Sequence, residues 1–247
     1  MHRITAVSKP RTGLHLVCAS KLRLVLTERH MRHFAMRLNL SADEVLTTTR
    51  SVRKRLDFDK PVEHEMILEA LEIALQAPTG SNRQGWQWMF VEDQAKKEAI
   101  AAMYSKNFEA YSSMPSPYKE GDQRLAQQPA VKSSAQYLSD NFAKVPVLMI
   151  PLIEGRHDNA GIMQGASVWG SLLPAVWSFM LALRERGLGS AWTTLHLANE
   201  RDVADLLGIP FEQYSQGGLF PIAYTIGTDF KPAKRMPMDN IVHWDTW

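Results

Sequence analysis

Two clusters of side chains have the types and spacing to do chemistry. The first is Arg50-Ser51-Val52-Arg53-Lys54-Arg55. Arg50 and Arg53 are three apart, so on a helical turn they project from one side, with the Ser51 hydroxyl beside them. Guanidinium groups so placed suit a phosphate, because the planar fork makes two charge-assisted bonds at once. The second cluster is Ala77-Pro-Thr-Gly-Ser-Asn-Arg-Gln-Gly-Trp86. Thr79, Ser81, Asn82, Arg83 and Gln84 place five hydrogen-bonding side chains within six positions, which fits a loop lying along a polar ligand. A solvated basic helix end and a polar surface turn use the same residue types, so each cluster alone leaves that alternative open.

The elements that must position these residues are legible from periodicity. A helix is predicted from about Ser41, an N-cap residue followed by Asp43 and Glu44, running into the arginine cluster at its end. Ile67, Leu71, Ala74 and Leu75 mark a second helix, which Pro78 and Gly80 end, Gly80 permitting backbone angles that other residues resist. Trp86, Trp88 and Phe90 alternate with Gln87, Met89 and Val91 as a strand. A helix from Asp93 to about Tyr111 carries Ile100, Met103, Tyr104 and Phe108 on one side. The Pro115-Ser116-Pro117 break and a polar helix over 123–139 follow it. Val145 to Ile153, interrupted by Pro146 and Pro151, reads as a buried or edge strand.

Between Asp158 and Arg184 there is no charged residue. As a helix this stretch is roughly 35 to 40 Å long, enough to span a bilayer. Gln164, Ser167, Ser171 and Ser178, the glycines, Pro174 and the missing basic flank argue instead for a helix buried in protein on every side. Leu188 to Thr194 reads as a strand, Asn199 to Gly208 as a capped short helix, and Leu219 to Ile226 as a further strand.

Familiar catalytic and metal patterns are missing. Gly165-Ala-Ser-Val-Trp169 lacks the last glycine of a hydrolase nucleophile elbow and lies within the predicted helix. Gly187-Leu-Gly189 follows a helix and precedes a strand, the reverse of the order in a dinucleotide fingerprint. The eight histidines, among them His30, His33, His64, His157, His196 and His243, show no zinc spacing. Cys18 is the only cysteine, which excludes an intramolecular disulfide and suits a reducing cytoplasm. We expect no metal and no dedicated catalytic residue.

The chain has 247 residues, 45% hydrophobic and 22% charged, the composition of a globular protein with one core. Its formal charge of +2 hides an asymmetry: residues 1–37 hold eight Lys or Arg against Glu28 alone, and the remainder carries 20 basic and 25 acidic residues. The acidic body gives no nucleic-acid signal. Residues 1–36 read as a floppy or artefactual basic extension without a secretory core or membrane span, a transit peptide being the alternative, and residues 37–247 as the functional domain.

Arg-Ser-x-Arg, then Ala-Pro-Thr-x-x-Asn-x-Gln-x-Trp, then Gly187-Leu-Gly-Ser-Ala-Trp-Thr-Thr194, then Lys234-Arg-Met-Pro-Met238 form four ordered blocks. Together they resemble the FMN-dependent nitroreductase family over roughly residues 41–244. They are similar in particular to NADPH-dependent nitroreductases of actinobacteria and, at Trp192-Thr193-Thr194, to the iodotyrosine deiodinase branch. The resemblance implies an α+β three-layer sandwich, a mostly antiparallel central sheet flanked by helices, in an intertwined homodimer centred on the long apolar helix. It implies FMN held by Arg50, Ser51, Arg53, Thr79, Ser81, Asn82, Gln84, Trp192, Thr193, Thr194, Lys234 and Arg235. Arg50 and Arg235, supported by Lys234, fall to the phosphate, and Arg53 to the pyrimidine edge.

By the same resemblance, Tyr104, Phe108 and Tyr118 line the substrate pocket. NADPH or NADH passes a hydride through flavin N5 to a nitroaromatic, quinone or related small-molecule acceptor, so the cofactor carries the hard chemistry. The C-terminal residues reach across the partner. Gly85, where the pattern has proline, Thr79, where it has serine, and Trp192, which narrows the pocket, are departures. Reductive dehalogenation or another specialised flavin reaction, and flavin storage without turnover, are the alternatives. The expected setting is the cytoplasm, with no nucleic acid and no membrane.

Overall fold

The computed structural model describes residues 37–247; the basic stretch 1–36, with Cys18, His30 and His33, lies outside them. Ser41 opens helix α1 (Ala42–Thr48) with a capping box, its hydroxyl accepting from the Glu44 N–H while the Glu44 carboxylate accepts from Ser41. The helix stops sooner than the sequence predicts. Thr47, Thr48 and Thr49 each turn their hydroxyl back onto the carbonyl four residues earlier, at 2.6 Å, and Thr49 leaves in an extended conformation. Arg50 and Arg53 therefore do not share a helical turn. They sit on an irregular segment whose Ser51 makes a parallel bridge to Ser190 and whose Val52 N–H donates to the Ser190 carbonyl at 2.8 Å.

The remaining elements are β1 (Leu56–Asp57), α2 (His64–Ala74), β2 (Trp86–Val91), α3 (Gln94–Ser112), α4 (Gln128–Asn141) and β3 (Val147–Glu154). They continue with α5 (Ile162–Glu185), β4 (Leu188–Ser190), α6 (Glu200–Leu207), β5 (Tyr214–Gln216) and β6 (Phe220–Thr225). One six-stranded sheet runs in the order β1-β6-β3-β2, with β4 added on β6 and β5 on β3. Every ladder is antiparallel.

Strand β3 is interior, and alternate residues feed two cores. Val147, Met149 and Ile153 pack with α2 and α5 through Met66, Ala70, Phe179 and Leu183. Leu148, Ile150 and Leu152 pack on the other face with Ile100 and Phe108 of α3, Leu138 of α4 and Val203 of α6. Helices on both faces make the α+β three-layer sandwich, and burial on both faces is why β3 reads as an apolar run without alternation. Pro151 is tolerated inside the sheet because its missing N–H falls where the neighbour changes from β6, whose ladder ends at Met149, to β5, whose ladder begins at Leu152.

Within the single chain, helix α5 is buried over only part of its length. It is the one helix among the described residues long and apolar enough to cross a membrane. From Leu172 onward one side of it is core, through Leu172, Val176, Phe179 and Leu183, while Trp177 stays exposed and the first turns are open, Ile162 being 95% and Met163 87% exposed.

Candidate functional site

A cavity of about 690 Å³ opens between α3, α4 and the connection after β4. Tyr104 and Phe108, four apart on α3, project together into it, and Trp192, Thr193 and Thr194 close the opposite side. Arg53 enters from the segment after α1. Its Nη1 donates to Ser134 Oγ of α4 at 3.3 Å, and it has no carboxylate partner among the described residues. Burial lowers its pKa, an effect that the Tyr104 and Tyr111 phenols oppose. The Tyr104 phenol is pushed up by its own burial, with Arg53 and the Thr193 hydroxyl acting against the shift, so it stays protonated at neutral pH. The cavity thus holds one desolvated cation and a neutral phenol between aromatic walls, a setting for a flat apolar molecule with an electron-rich edge.

Thr193 and Thr194 differ. The Thr193 hydroxyl is buried and committed, donating to the Leu219 carbonyl at 2.5 Å, whereas Thr194 is exposed. The regular part of the predicted strand 188–194 ends at Ser190, and Thr193 returns to the sheet through an isolated antiparallel bridge to Leu219. The Trp192 ring packs on Phe220, centroids 5.2 Å apart. Gly218 makes that possible: at φ +147° it occupies a region side chains rarely adopt, and a Cβ there would stand 2.9 Å from the Phe220 ring and 3.2 Å from Trp192 Nε1. Tyr118 does not line the cavity. Its ring lies under the Arg124 guanidinium at 4.3 Å, which is itself paired with Asp122.

The Thr79–Gln84 loop borders a different cavity, of about 660 Å³, together with Gln164, Ser167 and Ser171 from the first turns of α5. The two cavities share no lining residue. Positive φ angles fall on Ser81, Asn82 and Gln84, at 52°, 54° and 50°, and not on Gly80. Gly80 instead lies close against α5: a Cβ would come within 2.9 Å of the Ser167 hydroxyl, which would have to turn aside, and its N–H donates to Ser171 Oγ at 2.9 Å. Each left-handed non-glycine residue costs on the order of 1 kcal/mol or more, a concentration of strain typical of binding loops. The loop is braced by Gln84 Nε2 donating to Asn82 Oδ1 at 3.0 Å and by the Gln84 N–H donating to Thr79 Oγ1 at 3.2 Å.

At the C-terminal end, Arg50 Nη1 donates to the Lys231 carbonyl at 2.7 Å, which brings the segment carrying Lys234 and Arg235 to the first arginine cluster. Lys234 and Arg235 are exposed. Sequence reasoning missed the α4 wall of the cavity, including Lys132 and Gln136, because α4 is polar and gives no motif. It also dismissed His196, which adjoins the cavity-lining Leu195 and is fully buried. Burial pushes its imidazole down to about 4, the contact with the Gln216 side chain and the charge of Glu200 offsetting only part of the effect.

Comparison with known proteins agrees with this architecture. The chain is 26% identical over 219 residues to an NADH dehydrogenase of Thermus thermophilus, covering 83% of this chain and 96% of that protein. The structure of oxidized iodotyrosine deiodinase bound to FMN and 3-iodo-L-tyrosine superposes with a TM-score of 0.61 at 25% identity, over 83% of this chain and 99% of that one. The FMN and NADPH-dependent nitroreductase NfnB from Sphigopyxis sp. strain HMH shares the fold at a TM-score of 0.62 and 21% identity, over 84% of this chain and all of that one. The Nitroreductase family pattern matches residues 46–224, which run from within α1 through β6 and take in the whole sheet and both cavities' principal walls, and the chain therefore belongs to the Nitroreductase family.

Proposed function

We propose that this protein is an FMN-dependent oxidoreductase that uses NADPH or NADH to reduce nitroaromatic, quinone or related small-molecule acceptors, acting as a cytoplasmic homodimer. The observation that carries the reading is the division of the motif. Arg53, Trp192, Thr193 and Thr194 line one cavity, while Thr79 and Gln84 line another, with Ser81 and Asn82 on the same loop, and Arg50 is tied to the C-terminal segment through the Lys231 carbonyl. The exposed apolar start of α5 borders the second. A second copy docked on that face supplies what one chain leaves apart, and the same face gives the long apolar helix its cover.

The residues fit the cofactor. Its volume puts the first cavity in the range of small-molecule sites. Arg53, lacking a carboxylate partner among the described residues, suits the pyrimidine edge of an isoalloxazine, and Arg50 with Arg235 suits a phosphate. When bound, FMN supplies hydride transfer between the nicotinamide and the acceptor. The chain's own part is to orient and to dry the site. Arg53 fixes an electron-rich edge, the protonated Tyr104 phenol adds a donor, and Phe108 and Trp192 exclude water from the reacting faces. A second reading, reductive dehalogenation, is favoured by the likeness to iodotyrosine deiodinase.

The test is an anaerobic titration of the purified protein with NADPH and then NADH, followed in the visible, before and after addition of a nitroaromatic. Bleaching of co-purified FMN by nicotinamide and its recovery with the acceptor is the expected result. FMN that does not bleach moves the reading to dehalogenation or storage, and absence of flavin binding refutes it.

A further inference from the structure

The segment that delivers the C-terminal basic residues is gripped at one point. Phe230 is half-buried, and two guanidinium groups lie over its ring: Arg55 at 4.3 Å and Arg184 at 5.0 Å from the centroid. The same two arginines take up the neighbouring backbone. Arg55 donates to the Ile226 carbonyl at 2.7 Å and pairs with Asp229 at 2.5 Å, and Arg184 donates to the Thr228 carbonyl at 2.9 Å. Arg184 stands in the last turn of α5 and also reaches Thr48 Oγ1, at 3.2 Å, in the last turn of α1. It has no carboxylate partner among the described residues, so the ring face and the oxygens of Thr48 and Thr228 hold its charge. Gly227, at φ +73°, makes the turn, and a Cβ there would fall 2.5 Å from Arg55 Nη2.

One residue beyond Phe230, the Lys231 carbonyl accepts from Arg50 Nη1. Four residues beyond Lys231, within about 14 Å of extended chain, comes Arg235. We propose that Phe230, clamped by Arg55 and Arg184, is the positioning residue of the phosphate site: it fixes the carbonyl that aims Arg50 and sets the start of the segment that brings Lys234 and Arg235. The inference rests on the assignment of Arg50 to the FMN phosphate. Phe230 touches no phosphate itself and acts through Arg50 and the 231–235 segment.

The experiment measures, by flavin fluorescence quenching on the full chain, the affinity for FMN and for riboflavin, which is the same ring without the phosphate. The preference for FMN over riboflavin reports the phosphate site alone. Phe230→Ala is expected to lower FMN affinity at least tenfold and leave riboflavin affinity within twofold. Phe230→Tyr, which keeps the ring face, restores the preference, and Phe230→Leu, which keeps apolar bulk without that face, is a second loss variant should alanine fail to fold. Arg50→Ala loses the preference too, and the double variant with Phe230→Ala is no weaker than the weaker single. An unchanged preference in the Phe230 variants with loss in Arg50→Ala overturns the positioning role and leaves the phosphate assignment standing. An unchanged preference in Arg50→Ala overturns the assignment on which the inference rests.

Discussion

Replacing His196 by leucine tests the electrostatics of the buried layer beside the cavity. The imidazole is fully buried, so an apolar side chain of similar volume removes polar atoms that burial penalises, as it also removes the ring's contacts, the one to Gln216 among them. At pH 7 the variant is expected within about 1 kcal/mol of wild type. Acid separates them. The imidazole titrates at 6.5 in the unfolded chain and about 4 in the folded one, so folding with a neutral ring is favourable only while the unfolded ring is also neutral. The contribution is fully present above pH 6.5 and is lost as pH falls toward 4. At pH 4.5, two units below the unfolded value, wild type forfeits about 2.5 kcal/mol that His196→Leu retains. Carboxylates titrate in the same range, but they are common to both proteins and cancel in the difference. The assay is urea unfolding of both proteins at pH 7 and 4.5, with equal excess FMN. A difference between the two proteins that does not change with pH refutes a neutral, water-excluded His196.

Three further expectations follow from specific contacts. Trp192→Ala removes a half-buried ring from the cavity and from Phe220, so it should cost about 2 kcal/mol in a denaturation curve and raise kcat/KM for bulky nitroarenes several-fold over small ones. Ile162→Lys combined with Met163→Lys places two charges on the exposed start of α5. Sedimentation should show a shift to monomer with parallel loss of flavin, and a stable flavin-bound dimer would remove this face from the interface. Arg156 donates to both Glu200 oxygens, to Asp158 and to the Tyr214 carbonyl, with Arg156 and Glu200 both largely buried. Arg156→Met should destabilise by about 3 kcal/mol in chemical denaturation, and Arg156→Lys should recover little, since one ammonium does not reproduce the fork.

What the sequence determined by itself was the local chemistry. The Ser41 cap, the α3 stripe of Ile100, Tyr104 and Phe108, the Trp86–Val91 strand and the Gly208 helix stop are readable because each depends on neighbours a few residues away. The family is legible for the same reason: the first three of the spaced blocks, written in order along the chain, all fall within the matched residues 46–224.

The tertiary structure decided where those pieces meet. Periodicity gave no sign that three threonine hydroxyls would end α1 early and send Arg50 to Lys231 and Arg53 to Ser134, because those partners lie 181 and 81 residues away. Gly80 meets Ser167 and Ser171 of α5 across some ninety residues of sequence, and the left-handed angles fall on its neighbours. An uncharged run reads as apolar on every side, but only packing shows that α5 buries one side of its second half in its own core and leaves its first half open. Propensity and pattern act over one or two turns of chain, whereas close approach, burial and charge pairing are set by which distant segments the sheet brings together.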